Sequence, residues 1–230
     1  MYRVIENKYL KDDMYLMKVE GKFEGKMGQF YMLRAWDNYP LLSRPISICD
    51  IDENSITFLY KVFGEGTKIL SKLEPNDTIK LEGPYGNGYE KVSGKVALVG
   101  GGIGIAPLYL VAKNIKDCDA YLGFRNEAVL EDEFKKVCKD VYVTTDNKFV
   151  TDMLDVTKYD YILTCGPTPM MKKLVDMIQN TNTKIMVSLE NHMACGVGAC
   201  LVCTCKTKNG NKKTCKDGPV FWGEDVIFND

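Results

Sequence analysis

Four cysteines near the end of the chain constrain it more than any other feature. Cys195, Cys200, Cys203 and Cys215 follow C-x4-C-x2-C with a more distant fourth cysteine, the spacing that plant-type 2Fe-2S clusters use. Gly196, Gly198 and Ala199 interleave with the first two, and small residues let a loop wrap a cluster and aim N–H groups at its sulfurs. Asn209-Gly210 is a strong hairpin signal between residues 202–207 and 212–215, so the chain turns back and returns Cys215 toward Cys203. Structural zinc is the competing use of four thiolates, but it favours paired C-x2-C units, and only Cys200 with Cys203 makes one. A Rieske centre needs two histidines, and His192 is the only one here. His192 is expected to pack beside the loop. Cys205 exceeds the four ligands required and reads as a spare thiol, while Cys49, Cys118 and Cys138 fall in regular elements and read as buried thiols.

The remaining composition agrees with metal ligation. Nine cysteines in a 230-residue chain whose N-terminus shows no apolar export core read as metal ligands plus buried thiols, not as a disulfide framework. A cytoplasmic location is expected. No stretch reaches the roughly 18 apolar residues that span a bilayer. Thirty basic against 31 acidic residues leave no field that favours nucleic acid or a membrane surface.

Upstream, the pattern divides in two. Residues 1–92 contain short β-rich runs at 2–9, 14–20, 29–34, 46–49, 56–62 and 78–82, separated by Gly, Asp and Asn turns, which predicts a small antiparallel barrel. Within it, Arg44-Pro45-Ile46-Ser47 places a planar cation and then a hydroxyl along one strand, suited to a phosphate followed by the edge of a flat ring. An Arg on a solvated edge strand fits the tetrapeptide equally well. Gly64-Glu65-Gly66-Thr67 precedes a helical run at 68–73, and such a turn with a Thr cap offers backbone N–H groups to an anion such as a pyrophosphate. Residues 83–88 are turn-dense and close the unit, either as a plain connection or as a cofactor contact.

From residue 93 strands alternate with helices. The apolar run 96–99 leads through the glycine-rich segment 100–107 into a helix at 108–115, the strand–turn–helix order of dinucleotide sites, although Gly102 and Gly104 do not complete G-x-G-x-x-G. Strands at 119–124, 141–145, 159–165 and 184–189 with helices at 130–138 and 170–179 predict a doubly wound parallel sheet. Ligands of such sheets sit at the carboxyl ends of strands, where Cys165-Gly166-Pro167 stands. That tripeptide reads either as a wall of a nicotinamide pocket or as a strand-to-helix turn with a small buried thiol.

Taken in order, these motifs resemble the ferredoxin reductase superfamily. Over essentially the whole chain, and most specifically in ENHMACGVGACLVCTC and in residues 215–221, the sequence resembles electron-transfer subunits of NAD-linked bacterial dihydroorotate dehydrogenases. The resemblance implies a multidomain chain: an antiparallel β-barrel flavin domain (1–92), an α/β Rossmann-like NAD domain (93–189) and a small C-terminal 2Fe-2S arm (190–230). It implies FAD contacts at Arg44, Pro45, Ile46, Ser47, Leu59, Tyr60, Lys61, Gly66 and Thr67 and iron ligation by Cys195, Cys200, Cys203 and Cys215, while the strand–turn–helix pattern itself puts the expected nicotinamide-nucleotide contacts at Gly101, Gly102, Gly104, Cys165, Gly166 and Pro167. It further implies a partner, an FMN-containing catalytic subunit that oxidises dihydroorotate in pyrimidine biosynthesis, in a heterotetramer of two of each subunit.

Physical reasoning orders the cofactors. NAD takes two electrons at once and a cluster passes one, so a flavin must stand between them, giving partner FMN, cluster, FAD, NAD. The arm, including Phe221 and Trp222, is then expected at the subunit interface, although those aromatics suit a core equally well. Two other functions fit parts of the pattern: a reductase subunit of a hydrogenase, sulfite reductase or ferredoxin–NAD(P) transhydrogenase, and a zinc-stabilised interaction protein. Neither an NAD nor an NADP preference is legible; Arg125 is the one candidate for a phosphate clamp.

Overall fold

A computed structural model describes residues 1–146 and 148–228. Six strands, β1 (Tyr2–Tyr9), β2 (Met14–Glu20), β3 (Phe30–Arg34), β4 (Arg44–Ile51), β5 (Ser55–Lys61) and β6 (Thr78–Tyr85), close into an antiparallel barrel of order β1-β2-β5-β4-β3-β6. Alternation drives it: Val4, Met17, Val19, Leu33, Ile48, Ile56, Phe58 and Ile79 point inward and are wholly buried. Between β5 and β6 lies α1 (Glu65–Leu70), which starts earlier than its apolar spacing predicts. Thr67 is therefore not the cap. It sits inside the first turn, where its Oγ1 accepts from the N–H groups of Phe63 (2.9 Å) and Gly64 (3.2 Å) and donates to Gly64 O.

The second unit is a sheet of order β14-β11-β10-β7-β8-β9, in which β14 (Val220–Trp222) is the edge strand. Its strands are β7 (Val96–Gly101), β8 (Cys118–Gly123), β9 (Val141–Thr144), β10 (Tyr161–Cys165) and β11 (Lys184–Ser188), all parallel, with helices α2 (Ile105–Asn114), α3 (Glu131–Val137) and α4 (Thr168–Met177) between them. Val96 and Leu98 face the core shared with α2 and the barrel, while Ala97 and Val99 face Met171 and Leu174 of α4, so helices cover both faces. The start of α2 precedes its prediction because Pro107 lies in the first helical turn, where a missing N–H costs nothing.

The barrel and sheet share one continuous apolar core. Across their boundary Tyr89 donates to Thr164 O at 2.9 Å, and Lys113 of α2 pairs with Asp50 of β4 at 2.6 Å. The C-terminal segment forms the hairpin β12 (Thr204–Thr207) and β13 (Gly210–Lys213), then β14 (Val220–Trp222). The last strand returns to the sheet and pairs antiparallel with β11. Phe221 and Trp222 are accordingly half-buried, each packed on one side against one of the two main cores. Among the described residues no helix is long and apolar enough to cross a membrane.

Candidate functional site

A cleft of about 970 Å³ opens where the barrel, the sheet and the C-terminal segment meet. One wall is barrel: Arg44, Pro45, Ile46 and Ser47 of β4 and Leu59, Tyr60 and Lys61 of β5. Strand pairing fixes their order, with Ile46 opposite Tyr31 and Pro45 opposite Met32. Arg44 is held from several directions. Its guanidinium carbon lies 5.5 Å from the centre of the Trp36 ring, its Nη1 donates to Leu42 O, and beneath it a Cβ at Gly66 would come within 2.5 Å of Nε. Gly66 thus leaves room for the cation that α1 approaches, although neither Gly66 nor Thr67 lines the cleft.

The second wall is the glycine-rich turn and α2, through Ile103, Ala106 and Pro107. Gly101, Gly102 and Gly104 shape this turn without lining the cleft. A Cβ at Gly104 would lie 2.4 Å from Cys165 O, and one at Gly101 would lie 2.7 Å from Pro167 Cδ, so the turn rests directly on residues 165–167. Cys165 ends β10 beside Ser188, which ends β11. Its Sγ donates to Glu190 Oε1 at 3.6 Å. Glu190 is exposed as a residue, but the protein packed around its carboxyl desolvates it and raises it above the usual carboxylate range, and burial, then the Glu190 charge, holds the Cys165 thiol neutral.

The third wall was not read from the sequence. Residues 188–193, with Val202 and Pro219, complete the cleft, and exposed His192 lines it. The rule that places ligands beyond the carboxyl ends of strands points to residues 188–190 once β11 is known to stand beside β10. Residues 83–88 also gain a role. Asn87 Nδ2 donates to Lys216 O and Asp217 O, both at 3.2 Å, and so docks the C-terminal segment on the barrel.

The four motif cysteines stand as two pairs. Cys203 and Cys215 flank the base of the hairpin, where the Cys215 N–H donates to Cys203 Sγ at 3.4 Å and the Gly198 N–H donates to Cys215 Sγ at 3.1 Å. Both are buried, packed with Phe30, Met32, Tyr85 and Met193. Asn191 braces this base by donating to Thr214 Oγ1 at 3.0 Å. Cys195 and Cys200 form the other pair, half-buried and exposed respectively. Backbone N–H groups of Cys200 and Val197 draw the Cys195 thiol down to about 6, whereas burial and neighbouring Cys203 push Cys215 up to about 12. Cys205 takes no part. Its Sγ donates to Lys212 O at 3.6 Å and packs toward the α4-side core.

Comparison with known proteins places this geometry. Residues 190–227 match the family described as the iron-sulfur cluster binding domain of dihydroorotate dehydrogenase B. The chain is 49% identical, over 99% of its length and 97% of the relative's, to the dihydroorotate dehydrogenase B (NAD(+)) electron transfer subunit of Clostridium acetobutylicum. It is 43% identical to that of Clostridium perfringens, over 98% of this chain and 97% of the relative. Among solved structures it superposes on a chain of an NADH-dependent reduced ferredoxin-NADP oxidoreductase with a TM-score of 0.90 at 31% identity, covering 99% of this chain and 90% of that one. With a cysteine hairpin packed against a cleft between barrel and parallel sheet, and relatives alike from end to end, the chain belongs to the family of dihydroorotate dehydrogenase B (NAD(+)) electron transfer subunits.

Proposed function

We propose that the cleft holds FAD, that Cys195, Cys200, Cys203 and Cys215 hold a 2Fe-2S cluster, and that NAD binds at the carboxyl ends of β7 and β10. Electrons then run from the FMN of a dihydroorotate-oxidising subunit through cluster and FAD to NAD. The observation that carries this reading is a shared wall. Phe30 and Met193 line the cleft and also pack with Cys203 and Cys215, so a single layer of side chains separates the two sites.

The donor set suits the cluster. Two irons divide four thiolates into two pairs, which the Cys195/Cys200 and Cys203/Cys215 arrangement supplies, and the C-x4-C-x2-C spacing is that of plant-type 2Fe-2S proteins. In the cleft the Arg44 fork meets phosphate oxygens, Pro45, Ile46, Ser47, Leu59 and Tyr60 border the flat ring, and Lys61 supplies a second cation. Gly66 and Thr67 act one step back, by making room for Arg44 and by locking the turn before α1. Gly101, Gly102 and Gly104 bring backbone N–H groups to the NAD pyrophosphate at the start of α2, and Cys165, Gly166 and Pro167 wall the nicotinamide. Bound flavin supplies the exchange between one-electron and two-electron carriers.

Residues 1–92, 93–189 and 190–230 then form FAD, NAD and cluster units, the last lending β14 to the sheet of the second. Val197, Leu201 and Val202, each more than half exposed beside the cysteines, face the catalytic partner, in a cytoplasmic heterotetramer of two of each subunit. The likeness to the reduced ferredoxin-NADP oxidoreductase favours a second reading, in which the same wire serves a different partner. Co-purification with the FMN-containing subunit separates the two. The complex is expected to carry FAD and 2Fe-2S absorbance and to form NADH from dihydroorotate; a fully loaded complex that forms none rejects the dihydroorotate assignment.

A further inference from the structure

A side-chain cluster at the β1–β2 turn meets the sites described so far only through Lys61. Asp12 and Asp13 both adopt left-handed backbone, φ 52° and 59°, as a tight hairpin turn between right-twisted strands requires. Asp13 O accepts from the Val62 N–H at 2.9 Å, which stitches the turn to the end of β5. The Asp12 carboxylate then divides between two domains. Its Oδ2 accepts from Lys61 Nζ at 2.9 Å, and its Oδ1 accepts from Asn126 Nδ2 at 2.9 Å. Lys61 lines the flavin cleft, and Asn126 lies just beyond Gly123, the carboxyl end of β8. Gly123 is the parallel partner of nothing further along β9 than Thr144, while on its other side it faces Gly101 of the glycine-rich turn.

Solvent screens this contact only in part. The Asp12 side chain is 22% exposed and that of Lys61 35%, in contrast with the neighbouring Lys11–Glu127 pair at 51% and 59%, which adds little. The Lys61 hydrogen bond first, and Asn126 second, hold the Asp12 carboxyl below the usual carboxylate range, as expected of an acid that is an acceptor on both oxygens.

We propose that Asp12 is a positioning residue that clamps the two nucleotide sites together, fixing the Lys61 ammonium at the flavin wall and the Asn126 loop at the mouth of the NAD site. This rests on the FAD and NAD reading above. Lysine is a point charge on a flexible stem, so an unpinned Lys61 loses more freedom on meeting a ligand. An unpinned Asn126 loop likewise has more conformations to lose beside the turn that receives the pyrophosphate, although the β8 end itself stays paired with Gly101 and Thr144.

The test uses the complex with its catalytic subunit, comparing wild type with Asp12→Ala, Asn126→Ala and the double variant. Asp12→Ala is expected to raise KM for NAD about tenfold, the size of a lost charge-assisted hydrogen bond, with kcat within about twofold, and to speed FAD loss. Asn126→Ala is expected to raise KM for NAD without changing FAD retention, and the double variant to be no worse for NAD than Asp12→Ala alone. Asp12→Asn, of the same shape, guards against a folding defect and is expected to fall between. A flavin-loaded wild type whose KM for NAD is unmoved by Asp12→Ala and Asp12→Asn, or a double variant whose effects multiply, overturns the clamp alone. Wild type that binds no flavin rejects the cofactor reading and the clamp with it.

Discussion

In the barrel wall of the cleft, side-chain positions follow from strand pairing, whereas in the cysteine loop they follow from turns. Arg44 and Ser47 sit on a strand hydrogen-bonded on both sides within a closed barrel, and Arg44 is boxed in by Trp36 and Gly66. Neither Cys195 nor Cys200 lies on a regular element. Their loop is shaped by Gly196 and Gly198 at positive φ and by N–H groups turned toward sulfur. The loop is also unequal within itself. Cys203 and Cys215 are 1% and 2% exposed on a braced hairpin base, while Cys200 faces solvent. A flavin wall of this kind is built before its ligand arrives. Cys203 and Cys215 are built in the same way, whereas Cys195 and Cys200 stand on turns closer to solvent.

The sharpest way to break this distinction is to remove the cysteines one at a time. Cys203→Ser and Cys215→Ser should abolish the cluster, measured as iron content and visible absorbance, and cut dihydroorotate-linked NADH formation by about 100-fold or more, consistent with loss of an essential carrier. They should also lower the stability of the iron-free chain by about 1–3 kcal/mol, because each buries a hydroxyl in an apolar cluster. Cys195→Ser and Cys200→Ser should abolish the cluster equally but leave iron-free melting unchanged. Equal melting shifts for all four would erase the division between the two pairs.

Next in size is the cleft wall. Gly66→Ala places a methyl group 2.5 Å from Arg44 Nε and should displace the guanidinium, weakening FAD binding about tenfold, the scale of one charge-assisted hydrogen bond. Iron content should stay at the wild-type level. Gly64→Ala, with nothing within 4 Å of the new Cβ, is the control. A flavin titration with parallel iron analysis reads both, and loss of iron in Gly66→Ala would show that wall and loop are not independently built.

The smallest effect belongs to the seam between them, Glu190. Its carboxyl is raised by burial, so the unfolded chain releases this proton at lower pH than the folded one. The sign follows: stability is lost as pH rises from the ordinary glutamate value, roughly 4.3, through the higher folded value. Glu190→Gln lacks this loss, so its melting temperature should gain on wild type as pH increases, at ~2–4 °C per kcal/mol for a chain of this size. Melts at several pH values between about 5 and 8 check it. A difference that does not change with pH would mean that the Glu190 carboxyl is fully solvated in the open cleft.

Much of this arrangement is legible in residue order because the signals are local. Alternating apolar positions mark the barrel strands, the run Val96, Ala97, Leu98 and Val99 marks a strand buried on both faces, and Asn209-Gly210 marks the hairpin that returns Cys215. Misplaced boundaries have local causes too: Gly64, not Thr67, opens α1, and Pro107 is admitted into α2 because it falls in the first turn. The three-residue β14 is too short for any periodicity to show, and it exists because β11 offers an open edge. Residues 83–88 have turn chemistry in their sequence, but their docking of the C-terminal segment depends on a partner more than a hundred residues away.

Cysteine spacing, glycine turns and strand alternation specify which chemistries this chain is equipped for, since each depends on backbone geometry within a few residues. Which groups share a wall is a different matter. The cleft gathers residues 44–47, 59–61, 103, 106–107 and 188–193, and the seating of Cys203 and Cys215 on Phe30 and Met32 depends on a barrel formed at the opposite end of the chain. Those contacts arise when apolar surfaces of separate units are removed from water together, and no local repeat records where such surfaces will meet.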